Sequence, residues 1–193
     1  MATVLFVKPV PSKKRVQIGI LESGDEHTYT VTEATYVTLG GPSSECDIAE
    51  SDLGTIRFED EYIRALKKAA DSLSASDKSK FALKVKLLKA GFSAEASDMA
   101  LERLASLGYL DEERQLERAV LREANYNLRG RHYIKRKLSS KGYSPSSVSR
   151  AIDALIDRGE INFDANFECL AEKKGISSEE DRLALAYRFG YKI

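Results

Sequence analysis

The chain contains few of the side chains that build metal sites and covalent catalytic centres. Its 193 residues include only two cysteines and two histidines. Cys46 and Cys169 lie outside any CxxC pair, so we expect buried or idle thiols in a reducing cytoplasm. His27 and His132 are far apart in sequence, and neither has nearby acids in a metal-ligand pattern. The sequence therefore predicts no metal site and no cofactor.

Motifs and segments that define other protein classes are also missing. The chain has no GxxxxGK[ST], GxSxG or HExxH motif, and its acids lie at predicted helix starts, where capping accounts for them. It has no run of about 18 apolar residues, so we expect no membrane association. The N-terminal segment places its apolar run before its basic cluster, the reverse of a signal peptide, and predicts a strand. We therefore expect a cytoplasmic protein that is not an enzyme.

The chain as a whole has no excess of positive or negative charge, but positive charge is concentrated in one part of the sequence. The formal net charge is zero, whereas residues 1–59 contain five Lys or Arg and nine Asp or Glu, so the remainder is basic by four. Between Ala124 and Arg150 there is no acidic residue. A basic stretch of this kind in a neutral protein indicates a polyanionic partner.

An internal repeat is the strongest pattern that the sequence does contain. Residues 78–115 recur with changes as residues 129–166, at an offset of 51 positions. The matching landmarks are Leu83 with Ile134, Leu87 with Leu138, Gly91 with Gly142, Ser93 with Ser144, Leu101 with Ile152, Leu104 with Leu155, Gly108 with Gly159, and Leu110 with Ile161. A fixed period indicates one supersecondary unit used more than once, and such arrays bind partners more often than they catalyse. His132 aligns with Phe81, so we expect it to have a partly buried structural role.

The N-terminal part has the pattern of strands and turns. Val16, Ile18 and Ile20 alternate with polar or small residues, which predicts a half-buried strand. The turn residues 22–26 predict a hairpin with a longer loop. We expect Thr32 to cap a short helix, and helical periodicity begins at Asp60.

Capping residues mark the helix boundaries inside the repeats. We expect Ser76 or Asp77 to cap the second helix of the first unit and Ser93 to cap the third. In the second unit, Pro145 follows Ser144 at the first helical position, which proline favours. Each full unit is therefore predicted to contain three helices.

These patterns predict a mainly α fold. Tandem three-helix repeats form an elongated curved array behind a small β-rich N-terminal domain. The predicted parts are a hairpin-containing N-terminal domain (1–58), a first repeat (59–110), a second repeat (111–163) and a truncated third repeat (164–193).

Several of these landmarks together resemble the RecX family of bacterial recombination regulators. One is the sequence GYLDEER (108–114), followed by a long helix that carries Arg118 and Arg122. Another is the Arg-Gly-Arg junction (129–131), and the hairpin leading into EDEYIRALKKAADSLS (59–74) is similar to longer members. The resemblance covers nearly the whole chain.

What the resemblance implies is a non-enzymatic modulator of the RecA recombinase, acting in DNA repair, recombination and the SOS response. RecX-like proteins bind the RecA filament on DNA, lie along its groove, and suppress ATP hydrolysis and strand exchange. The implied partners are the RecA filament and single- and double-stranded DNA without sequence preference, and we expect a monomer. Two alternatives stay open: a tandem helix-turn-helix DNA-binding protein and a helical protein-interaction scaffold.

Basic side chains are the candidate DNA- or RecA-binding residues. The leading group lies in and beside the second helix of the second unit and comprises Arg129, Arg131, Lys135, Arg136, Lys137 and Lys141. A second row on the preceding helix comprises Arg114, Arg118 and Arg122. Guanidinium groups suit phosphates and carboxylates, and phosphate contacts predict salt-dependent, sequence-tolerant binding. The alternatives are a solvated helix face and, for the second row, intrahelical pairing with Glu117 and Glu123.

Three tyrosines lie among these basic residues and are candidates for stacking on nucleic acid. Tyr126, Tyr133 and Tyr143 could stack on unpaired bases. We favour core packing instead, because Tyr143 repeats Phe92 at a helix end, and the same interpretation extends to Tyr109.

Overall fold

A computed structural model describes residues 2–75 and 78–192. The described chain is mainly helical and begins with an antiparallel sheet, which confirms the predicted mainly α fold with a β-rich N-terminal part. The predicted cap at Ser76 or Asp77 lies outside the described residues. Among the helices that the model describes, none is both long enough and apolar enough to cross a membrane.

The N-terminal sheet has four antiparallel strands in the order β3-β2-β1-β4. The strands are β1 (Ala2–Val10), β2 (Arg15–Glu22), β3 (Asp25–Thr32) and β4 (Asp47–Ile48). The predicted alternation in β2 is confirmed, because Val16, Ile18 and Ile20 are all buried. The predicted longer loop is wrong: only Ser23 and Gly24 connect β2 to β3. Both residues have positive φ values, as a two-residue hairpin turn of type I′ requires.

The exposed edge of the sheet is partly covered by acids from the first long helix. That helix, α2, spans Glu50–Ala75. The backbone N–H of Thr30 in β3 donates to Asp60 Oδ1 at 2.9 Å, and that of Thr32 donates to Glu59 Oε1 at 3.2 Å. The outer amides at this end of β3 therefore have partners although no further strand lies beside them.

Helix α2 begins earlier than the helical periodicity at Asp60 indicated. Its first turns pack against the sheet, with Leu53 and Ile56 in the same buried cluster as the strands. Gly54 lies between them, and a glycine inside a helix lowers the local helix propensity. Packing on the sheet overrides that local preference. The short helix α1 (Glu33–Thr38) is capped by Thr32, as predicted.

The repeated segments have matching helices and matching buried positions. The remaining helices are α3 (Lys80–Lys89), α4 (Ala94–Ser106), α5 (Glu112–Leu121), α6 (Arg131–Ser140), α7 (Pro145–Asp157), α8 (Phe163–Lys174) and α9 (Glu179–Phe189). Every aligned leucine and isoleucine of the two repeats is buried. Ser93 and Ser144 cap α4 and α7 as predicted, accepting hydrogen bonds from Ala96 N and Ser147 N.

The chain divides into two compact units. The first comprises Met1–Ser72 with Lys84–Leu107, and the second comprises Leu73–Leu83 with Gly108–Ile193. The core of the first unit includes the cluster beneath the sheet. The second unit has one cluster formed by α5, α6 and α7 and another formed largely by α8 and α9. The four-part division predicted from the sequence stays a prediction.

Candidate binding surface

Helix α6 is anchored in the second unit by its apolar side chains. Ile134 and Leu138, four positions apart, are completely buried in the cluster with α5 and α7. The basic residues of α6 occupy the positions between and around them. Both side chains therefore face the core of the second unit.

The N-terminus of α6 is capped by the C-terminus of α9. No side chain caps the helix at Gly130. Instead, the N–H groups of Gly130 and His132 donate to Phe189 O and Gly190 O at 2.9 and 3.0 Å. The negative end of one helix dipole thus adjoins the positive end of another, a favourable arrangement.

Both glycines at this contact are needed for steric reasons. A Cβ atom on Gly130 would approach the Gly190 backbone to less than 3.0 Å, and a Cβ on Gly190 would approach Tyr133 N equally closely. We call this contact the α9–α6 junction (Gly130, His132, Phe189 and Gly190).

Arg129 lies directly beside this junction. Its guanidinium group lies 4.5 Å from the centroid of the Tyr133 ring and 4.4 Å from that of Phe189. The side chain is half-buried. This predicted site residue is therefore engaged between two rings of its own chain.

Two other predicted site residues form ion pairs within the second unit. Arg131 pairs with Asp153 of α7. Lys137 Nζ lies 2.8 Å from Glu123 Oε1, and the Glu123 side chain is only 2% exposed. Burial opposes ionisation of Glu123, but hydrogen bonds from Lys137 and Asn127 outweigh it and lower the pKa of the carboxyl.

The other six predicted basic residues form no ion pair with any residue that the model describes. Lys135 is half-buried and the rest are exposed; they are Lys135, Arg136, Lys141, Arg114, Arg118 and Arg122. Intrahelical pairing of the α5 row is not observed within the described chain, because Glu117 pairs with Arg158 and Glu123 with Lys137. Arg136 lies 5.8 Å from the centroid of the Tyr133 ring but is exposed, unlike the half-buried Arg129 between its two rings. All six cations therefore remain available to an external anion.

The aromatic residues follow the sequence-based interpretation only in part. Tyr143 is buried in the core, as predicted. The extension to Tyr109 is wrong, since 68% of this residue is exposed, and Tyr126 is 84% exposed. His132 is also exposed rather than partly buried. The aligned Phe81 is exposed as well, because this position of the repeat lies in the first helical turn and outside the core.

A π-helical segment between α5 and α6 was not predicted. It spans Arg122–Tyr126 and has the wide-turn hydrogen bond from Asn127 N to Arg122 O at 3.0 Å. Leu128, just beyond it, has a positive φ of 49°. Three asparagines, Asn125, Asn127 and Asn166, hydrogen-bond to or around the segment. Only Asn125 and Asn127 lie close to the segment in sequence, and they form no pattern that predicts this irregularity.

The described residues contain no group of three His, Cys, Asp or Glu side chains arranged to hold a metal ion.

Comparison with known proteins supports the predicted resemblance. No family model matches the chain. The regulatory protein RecX of Clostridioides difficile (strain 630) is 29% identical over 122 residues, which cover 63% of this chain and 54% of that protein. The chain thus matches about half the length of this curated relative.

Solved structures show the same fold. A crystal structure of regulatory protein RecX has a TM-score of 0.66 at 18% identity and covers 95% of this chain and 89% of that one. The crystal structure of RecX from Lactobacillus salivarius has a TM-score of 0.53 at 19% identity and covers 64% of this chain and 80% of that one. The curated relative confirms the resemblance at the level of sequence, and the two solved structures show that the fold is similar as well.

Proposed function

Because this chain is RecX-like in sequence and in fold, we propose that it is a non-enzymatic regulator that binds RecA filaments on DNA and inhibits their ATPase and strand-exchange activities. The observation that carries the proposal is the similarity to regulatory RecX proteins. The exposed cations of α5 and α6 support it, because a RecA filament on DNA presents phosphates and carboxylates.

We propose that six basic residues make these contacts. They are Lys135, Arg136 and Lys141 on or just after α6, and Arg114, Arg118 and Arg122 along α5 and at the start of the π-helical segment. Arg129, Arg131 and Lys137 have internal partners, so their main contribution is to hold α6 in place. The proposal thereby divides the nine predicted residues into a contacting and a positioning group.

The test is the ATPase activity of a bacterial RecA on single-stranded DNA. Wild-type protein is expected to slow hydrolysis at stoichiometric ratios to RecA. The double variant Lys135→Glu/Arg136→Glu is expected to need a severalfold higher concentration, because it reverses two charges at the proposed contact. Lys173→Glu/Lys174→Glu is the matched control, since these lysines are exposed on α8.

Absence of inhibition by the wild-type protein at stoichiometric excess would overturn the regulatory proposal. Inhibition by Lys135→Glu/Arg136→Glu equal to that by the wild type would instead remove α6 from the interface. The two results separate the function from the assignment of its surface.

A further inference from the structure

The π-helical segment presents an exposed ring beside the cations of α5. We propose that Tyr126 is a base-stacking residue for single-stranded DNA and that Arg118 and Arg122 bind the adjoining phosphates. The inference rests on the proposed function and deepens it by naming the single strand as the ligand of this row.

The spacing of the row supports the inference. Arg114, Arg118, Arg122 and Tyr126 recur every four residues. Four residues of α-helix rise about 6 Å and turn slightly more than one full rotation, so such a row drifts around the helix. The wider π-helical turn needs more than four residues per rotation, which brings Tyr126 back toward the line of the arginines. The irregular turn therefore places a ring at the end of a row of cations.

The backbone around Tyr126 is fixed, whereas its ring is free. Asn125 Nδ2 donates to Glu160 O at 2.8 Å, and Asn166 Nδ2 donates to Ala124 O at 3.1 Å. Tyr126 is 84% exposed, and its ring has no ring partner among the described residues. Because the backbone is already ordered, only the side-chain torsions of Tyr126 lose freedom when a ligand stacks on its ring.

The surroundings of the ring favour a nucleic acid over a protein partner. Protein hot spots are also enriched in tyrosine and arginine, but they lie in well-packed pockets that become fully desolvated. Tyr126 instead has Arg122, Asn125 and Asn127 as sequence neighbours, all polar and at least partly accessible. Cations and a π face together match the phosphates and bases of a single strand, whereas the bases of a duplex are already stacked.

The test measures binding of labelled oligothymidylate of about 15 nucleotides, long enough for a single-strand site, by fluorescence anisotropy. Tyr126→Ala is expected to weaken binding about tenfold, within the range measured for loss of one base–aromatic stack. Tyr126→Phe is expected to bind like the wild type, because stacking uses the ring and not the hydroxyl. Tyr187→Ala is the matched control, since Tyr187 is 91% exposed on α9.

An abasic strand of the same length and a duplex provide the second comparison. Both are expected to bind wild-type and Tyr126→Ala protein equally, because neither offers an unpaired base. An equal loss on the abasic strand, or no loss on oligothymidylate, would overturn the stacking role. Loss of RecA inhibition by Tyr126→Ala with unchanged oligothymidylate affinity would assign the ring to a protein contact and overturn it as well.

Failure of this inference is distinguishable from failure of the proposed function. Wild-type protein that inhibits RecA but does not bind oligothymidylate would overturn the single-strand site alone. Wild-type protein that binds oligothymidylate through Tyr126 but leaves RecA ATPase unchanged would overturn the regulatory proposal alone.

Discussion

Glu123 keeps a lowered pKa although its side chain is almost fully buried. The ion pair with Lys137 and the hydrogen bond from Asn127, at 3.0 Å, outweigh the cost of burying the charge. Lys137 is about one-third exposed, so it would regain water if the pair were broken, whereas the glutamate would not. The two partners are therefore unequal, and removal of the lysine is the more costly change.

Lys137→Met is expected to destabilise the protein by about 2–3 kcal/mol at neutral pH, because it leaves a buried carboxylate without its cation. Urea unfolding measures this loss. Lys135→Met is the control on the same helix, since Lys135 has no ion pair with any described residue. Equal losses in the two variants would contradict the assigned role of the pair.

The same pair predicts a dependence on acid. Because folding lowers the pKa of Glu123 below its ordinary value of 4.5, the pair stabilises the folded chain above pH 4.5. This contribution is lost as the pH falls through the lowered pKa. The stability difference between wild type and Lys137→Met should therefore shrink when urea unfolding is repeated below that range.

Tyr191 has a buried hydroxyl with no hydrogen-bond partner among the described residues. Its ring packs against Phe163 and Phe167, and burial raises the pKa of Tyr191 to about 12. Tyr191→Phe is expected to be neutral or to stabilise the protein by up to about 1 kcal/mol in thermal unfolding. Tyr29→Phe should destabilise it, because the Tyr29 hydroxyl donates to Glu22 at 2.7 Å. The reverse order would contradict the unsatisfied hydroxyl.

At the scale of elements, the α9–α6 junction makes the last helix part of the support for the basic helix. Gly190→Ala is expected to cost at least about 2 kcal/mol, because it adds a clash with Tyr133 to the strain of a φ of 81°. Hydrogen exchange of the Gly130 and His132 amides should accelerate, since these two groups donate to Phe189 and Gly190.

Gly175→Ala is the control for this change. Gly175 ends α8 with a φ of 65°, but an added Cβ would meet nothing within 4 Å. It should therefore carry only the backbone strain and leave the exchange of the junction amides unchanged. Faster exchange of those amides in Gly175→Ala would show that general destabilisation, and not the junction, controls them.

Prediction from sequence succeeded where neighbours in the chain determine the structure. Capping serines and the leucine and isoleucine spacing are local, and they predicted the helices and buried faces of both repeats. The early start of α2 was missed because the sheet, distant in sequence, stabilises the turns around Gly54. The π-helical segment depends on partners such as Glu160 and Asn166, which no local pattern identifies.

The candidate site could likewise be predicted from the sequence only in part. The acid-free basic stretch could be found from sequence, but which of its cations are engaged could not. Arg131 and Lys137 look equivalent to Lys135 and Arg136 in the sequence, and only the positions of Asp153 and Glu123 in the fold distinguish them.

For the whole molecule, the formal net charge of zero means that attraction to DNA depends on where the charges lie. Binding to single-stranded DNA should weaken with salt, and each lost phosphate contact should reduce the slope of log K against log salt by about 0.7. Arg136→Gln is therefore expected to reduce the slope by about that amount. Arg131→Gln should change it less, since Arg131 is paired with Asp153. Equal changes in the two slopes, measured by anisotropy titrations, would contradict the division between free and engaged cations.

The acids that cover the edge of β3 affect whether the sheets of two copies of the protein can associate. Unpaired edge amides are the groups through which sheets of neighbouring molecules join and polymerise. At Thr30 and Thr32 those amides are already bound to Asp60 and Glu59, and the exposed Asp25 and Glu26 place negative charge at the other end of the strand. This edge is therefore protected against pairing with the same edge of a second copy.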